Sequence, residues 1–216
     1  MHENFSIWVV GDSLNDTGTF SPVTATGRFT NTPGLLWTEI VARHFGSSVA
    51  PAQVFDGTKF IETGGTNYAQ SGALINEEAG LYDGRSQSVK SQLNLLLAKN
   101  KNSVHSILLM DGGGPDILRA AMTVGADALT TEAALTQISE AGREAAKLVQ
   151  KAVAAEFQIV VWATVADFGK IPLLGAGQGE AADLGRALSQ QFNAALKDEL
   201  GALPNTLGNP RFAHAV

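Results

Sequence analysis

Three short stretches of the chain are almost wholly apolar: residues 5–10 (FSIWVV), 104–110 (VHSILLM) and 158–163 (QIVVWA). A strand with one wet face alternates polar and apolar side chains, whereas a near-continuous apolar run needs cover on both faces. Longer amphipathic stretches separate these runs. Residues 35–45 place Leu36, Ile40 and Phe45 near helical spacing, and residues 88–98 carry a stripe of Val89, Leu93, Leu96 and Leu97. Residues 131–156 form the longest expected helix, with Leu135, Ile138, Ala141, Ala145, Leu148 and Ala152 inward; in 181–200 the stripe is Leu184, Leu188, Phe192, Leu196 and Leu200. Short strands are expected at 67–69 and 211–216. This alternation predicts an α/β fold with a mostly parallel, doubly covered sheet.

The chain of 216 residues shows no repeat, no low-complexity segment and no linker, so 1–216 reads as a single domain. Its formal net charge of -6 argues against a nucleic-acid partner, which calls for clustered Lys and Arg, and against an anionic membrane surface. Cysteine is absent, which excludes disulfides, thiolate catalysis and thiolate-bound zinc. No apolar run reaches the roughly 18 residues of a membrane span, and no leader sequence is visible at Met1. The loops at 15–34, 47–66 and 164–180 are long and rich in Gly, Pro and Thr. In open α/β sheets the ligand site lies beyond the carboxyl ends of the strands. Loops leaving at Gly11, Gln70, Asp111 and Thr164 are therefore expected on one rim.

Gly11-Asp12-Ser13-Leu14 follows the first strand directly. A serine there sits at the sheet edge with its hydroxyl free, and neighbouring backbone N–H groups are placed to bind a developing oxyanion. The same four residue types also make an ordinary turn or helix cap. Gly112 to Gly114, between a strand and a helix, would suit a phosphate, but the spacing fits neither dinucleotide-binding nor Walker loops. Scattered histidines and the lack of His-Glu-x-x-His argue against a metal hydrolase. No metal and no cofactor is expected. Asp12, Asp16, Asp111, Asp116 and Asp167 read first as turn-capping carboxylates.

Five ordered segments extend the pattern. Residues 11–18 (GDSLNDTG) resemble the first block of the GDSL (SGNH) esterase/lipase family. Residues 27–31 (GRFTN) with Trp37 look like the segment after it, and 66–73 (TNYAQSGA) like the second block. Residues 111–116 (DGGGPD) stand where the third belongs, and 165–172 (VADFGKIP) are similar to a later loop of the subgroup holding autotransporter esterases and plant GDSL lipases. The resemblance implies a flavodoxin-like three-layer sandwich with a mostly parallel five-stranded sheet. It implies a serine hydrolase acting on small-molecule or lipid esters, with Ser13 as nucleophile and the N–H groups of Ser13 and Gly72 as oxyanion donors. Asp12, Gly114 and Asp116 are further candidates at the site. Secreted or cell-surface members are common in this subgroup, so such a location is an expectation of the resemblance.

Two departures stand out. The family's third block carries Gly-x-Asn-Asp, but here Pro115 stands in the asparagine position, with no side-chain donor and no N–H. Loss of one oxyanion donor costs roughly 10²–10³ in rate. The family's Asp-x-x-His block is also missing. Of the four histidines, His2 is terminal, His44 falls on a helix and His105 opens a strand. His214 is best placed by order, but Arg211 stands three residues before it. The expectation is a chain that ends before the family's last block, or a degenerate member. The rival reading is a non-catalytic remnant that binds an acyl or glycan ligand.

Overall fold

A computed structural model describes residues 5–24, 28, 34–78, 80–81, 84–99 and 105–202. Strand β1 (Ser6–Val10) is followed by helix α1 (Trp37–His44), a small hairpin of β2 (Gln53–Phe55) and β3 (Phe60–Glu62), and helix α2 (Val89–Lys99). Then come β4 (Ser106–Met110), α3 (Gly114–Gly125), α4 (Thr131–Ala154), β5 (Ile159–Trp162) and α5 (Gly179–Gly201).

The central sheet has the order β1-β4-β5 and is parallel throughout. Its register runs from Ser6↔Ser106 to Val10↔Met110, and from Ile107↔Ile159 to Met110↔Trp162. All five residues of β4 are buried, as expected for a strand covered on both faces. Strand periodicity divides the core in two. Ile7, Val9, Ile107 and Leu109 pack with Ala42 of α1 and Val49 on one face. Val10, Leu108, Met110, Val160 and Trp162 pack with α2, α3, α4 and α5 on the other. The result is helix on sheet on helix. Gly142 lets α4 and α5 meet closely, since a Cβ there would lie 2.5 Å from the Phe192 carbonyl oxygen.

The strand expected at 67–69 is reduced to a bridge: Asn67 pairs in parallel with Val9 on one side and Pro51 on the other. The Asn67 side chain explains why it goes no further. Its Nδ2 donates to the Asn15 carbonyl at 2.6 Å and its Oδ1 accepts from the Ala69 N–H at 2.9 Å, which turns the chain out of the ladder. With this bridge beside β1, the strand order follows the flavodoxin-like pattern. The strand expected at 211–216 lies outside the described residues. The β2–β3 hairpin falls in a stretch read as loop. Its strands have three residues each, too few for periodicity to register, and Asp56 organises the turn by accepting from the N–H groups of Thr58 and Lys59.

Candidate active site

The carboxyl ends of β1 and β4 are joined at Gly11. A Cβ at Gly11 would lie 1.9 Å from Asp111 Oδ1 and 2.8 Å from Asn15 Nδ2, so only glycine fits. The chain then enters a turn whose N–H groups are nearly all used. Gly11 donates to Gln92 Oε1 at 2.8 Å and Asp12 to Asp111 Oδ1 at 3.0 Å. Leu14 donates to Asp12 Oδ1 at 3.0 Å and Asn15 to the Asp12 carbonyl at 3.2 Å. Ser13 is the exception: neither its N–H nor its Oγ has a hydrogen-bond partner among the described residues. Ser13 is half-buried and Leu14 beside it is exposed.

The second loop meets the first through Asp16 and Gln70. Asp16 Oδ1 accepts from Gly18 and Thr19, while its Oδ2 accepts from the Ser71 N–H at 2.8 Å. The Gln70 N–H donates to the Gly11 carbonyl at 3.1 Å. Ala73 donates to the Gln70 carbonyl, and Ile75 to the Asp116 carboxyl at 3.2 Å. The N–H groups of Gly72 and of fully buried Leu74 are left over. Gly72 takes φ 80, a conformation that favours glycine.

The third loop runs from Asp111 into α3. Gly113 caps that helix at φ 100, and a Cβ there would strike the Phe192 ring at 2.6 Å. At Gly114 a Cβ would lie 2.9 Å from Phe168 Cζ and 3.3 Å from Asp12 Oδ2, so Phe168 of the 165–172 segment closes over this point. The Gly114 N–H faces the Asp12 carboxyl. Pro115 sits in the first turn of α3, where a missing N–H costs nothing. Asn193 holds the start of the fourth loop, exchanging hydrogen bonds of 3.0 and 2.8 Å with the N–H and carbonyl of Val165.

Burial raises the pKa of each carboxyl in this group. Asp12 is pushed up to about 6 by burial, against the opposing pull of the Leu14 and Gly114 N–H groups. Asp111 rises well above the ordinary range through burial and then through its neighbour Asp12; its Oδ2 has no hydrogen-bond partner among the described residues. Burial also raises Asp16, and pushes Asp116 to about 7 despite the Ile75 N–H and Arg119. A charge on Asp12 therefore works with burial to disfavour ionisation of Asp111. No cluster of three or more potential metal ligands occurs among the described residues.

Neither described histidine lies at this rim. His44 is exposed at the end of α1 and meets Phe45 edge to face, while Phe45 meets Phe5 at the amino end of β1. His105 precedes β4 at the same far end, its carbonyl accepting from Ser6. His2 and His214 lie outside the described residues. A cavity of about 770 Å³ between α3 and α4 is lined by Asp116, Arg119 and Glu77, and reaches neither Ser13 nor Gly72.

Sequence reading left out Gln92, which grips Gly11 from α2. Its only trace in the sequence is a polar residue at helical spacing between Val89 and Leu96 of the apolar stripe, which hints at burial but not at the partner.

A parallel sheet covered on both faces, with a glycine-serine turn at the carboxyl end of its first strand, defines an α/β protein with its site on that rim. The family model for GDSL-like lipases and acylhydrolases matches residues 7–214, and the chain belongs to that family. No curated protein matches it. Family membership implies hydrolase activity on small esters. Among the described residues no helix is long and apolar enough to cross a membrane.

Proposed function

We propose that this chain is a carboxylic ester hydrolase working through an acyl-enzyme on Ser13. Ser13 Oγ bonds to the ester carbonyl carbon as its proton leaves to a base. The tetrahedral oxyanion is received by the N–H groups of Ser13 and Gly72 and collapses by expelling the alcohol, which takes up the proton. Water then hydrolyses the acyl-serine and restores the hydroxyl. The observation that carries this reading is the pairing pattern. Four of the five N–H groups from Gly11 to Asn15 are consumed within the protein, and the one left open belongs to Ser13.

A second reading is favoured by Pro115, which removes a side-chain oxyanion donor: a protein that keeps the fold and binds an acyl or glycan ligand without turnover. Short-chain p-nitrophenyl ester hydrolysis and fluorophosphonate labelling, each compared with Ser13→Ala, separate the two. The esterase reading expects label and turnover that vanish in Ser13→Ala. Wild type that neither labels nor turns over faster than Ser13→Ala defeats it.

A further inference from the structure

We propose that Gln92 is a positioning residue that fixes Ser13 relative to Gly72, an inference that rests on the reading of those two residues as oxyanion donors. Gln92 is 81 residues from Gly11 and fully buried, and it spends its whole amide on backbone. Its Oε1 accepts from the Gly11 N–H at 2.8 Å, and its Nε2 donates to the Gly11 carbonyl at 3.0 Å and to the Gln87 carbonyl at 3.0 Å. The amide thus does for Gly11 what a neighbouring strand would do, at a point where β1 has ended.

The Gly11 carbonyl accepts a second hydrogen bond, from the Gln70 N–H. Gly11 stands two residues before Ser13 and Gln70 two residues before Gly72, so both loops hang from one carbonyl oxygen. Two further bonds close the frame. Gln70 Oε1 accepts from the Gln87 N–H at 2.7 Å, and Gln70 Nε2 donates to Gln87 Oε1 at 3.1 Å. Three glutamines therefore brace the two loops against the start of α2. A buried apolar side chain at position 92 would fill the space but leave the Gly11 N–H without its acceptor.

The test uses the full chain with Gln92→Leu and Gln92→Glu. The ester-hydrolase reading is judged first and separately, by fluorophosphonate labelling of wild type against Ser13→Ala. Hydrogen exchange then reads the inference whether or not label is taken up. In Gln92→Leu the Gly11 amide is expected to exchange about 30-fold faster, from the loss of two to three hydrogen bonds, with β4 amides unchanged. Labelling of Gln92→Leu is expected to fall about 10-fold or more. Gln92→Glu accepts from the Gly11 N–H in either form, but it donates to the Gly11 carbonyl only while its carboxyl is protonated, and once ionised it sets a negative charge against that oxygen. Its labelling rate divided by that of wild type should therefore fall between about pH 5 and about pH 8. Division by wild type cancels the titration of nearby Asp12, Asp16 and Asp111. Unchanged Gly11 exchange in a folded Gln92→Leu overturns the proposal. Should that variant fail to fold, unaltered Gly11 exchange in a folded Gln92→Met, whose thioether has no donor and is only a weak acceptor, overturns it equally.

Discussion

Asp116 offers the most direct physical test of the site's electrostatics. Its carboxyl is buried at the start of α3, accepts the Ile75 N–H, and titrates at about 7 instead of the ordinary 3.8. In the unfolded chain it ionises near its ordinary value. Between the two values the unfolded state has released a proton that the folded state still holds. The contribution of this group to stability is therefore complete below the unfolded value and is lost as pH rises towards about 7. Integrated from about pH 4.5 to about pH 8, the loss is about 3 kcal/mol. Asp116→Asn removes the titration but keeps an oxygen to accept the Ile75 N–H. Any cost of burying the extra amide enters at both pH values and cancels in the difference. Urea unfolding of both proteins at about pH 4.5 and about pH 8 should show the asparagine variant gaining about 3 kcal/mol on wild type at the higher pH. A gap that changes by less than about 1 kcal/mol between the two conditions would mean that burial does not hold this carboxyl neutral.

Two further outcomes follow from the rim. Gly11→Ala drives a methyl group to 1.9 Å from Asp111 Oδ1, so the strand end must shift; a loss of about 2–4 kcal/mol is expected by chemical denaturation, and a loss below about 1 kcal/mol would contradict the contact. Pro115→Asn places a side-chain donor where the family resemblance calls for one. Fluorophosphonate labelling or ester turnover should rise about 10-fold or more, with little change in Tm, and an unchanged rate would mean that position 115 does not limit the reaction.

Much of the fold could be read from periodicity because the buried strands are so uniformly apolar. β4 shows the reason: covered by α1 on one face and by α2 to α5 on the other, it has no position where a polar side chain meets water. The pattern failed where structure is set by side-chain hydrogen bonds or by short elements. Asn67 ends the second strand with its own amide, and the hairpin around Asp56 and Gly57 is too short to show a period. Local motifs and resemblance singled out the loops of Ser13 and Gly72, and the structure brings those two loops together through Asp16 and Gln70. Gln92 was not singled out, because its role is defined by a partner far away in the chain, and a helical stripe reports burial without reporting what a buried amide touches.

The aspartates of the rim show why residue type alone misleads about chemistry. Four of them are buried on the first loop and on the third loop with its helix, and a motif reading weighs each as a metal ligand or a cap. Their hydrogen bonds decide in favour of bracing. Asp12 accepts from Leu14, Asp16 from Gly18, Thr19 and Ser71, Asp111 from Asp12, and Asp116 from Ile75. A carboxyl needs no charge to accept such a bond, since a protonated group keeps a carbonyl oxygen free for it. Buried carboxyls can therefore stay neutral and still hold three loops in register, while full ionisation would set Asp12 against Asp111 inside the protein.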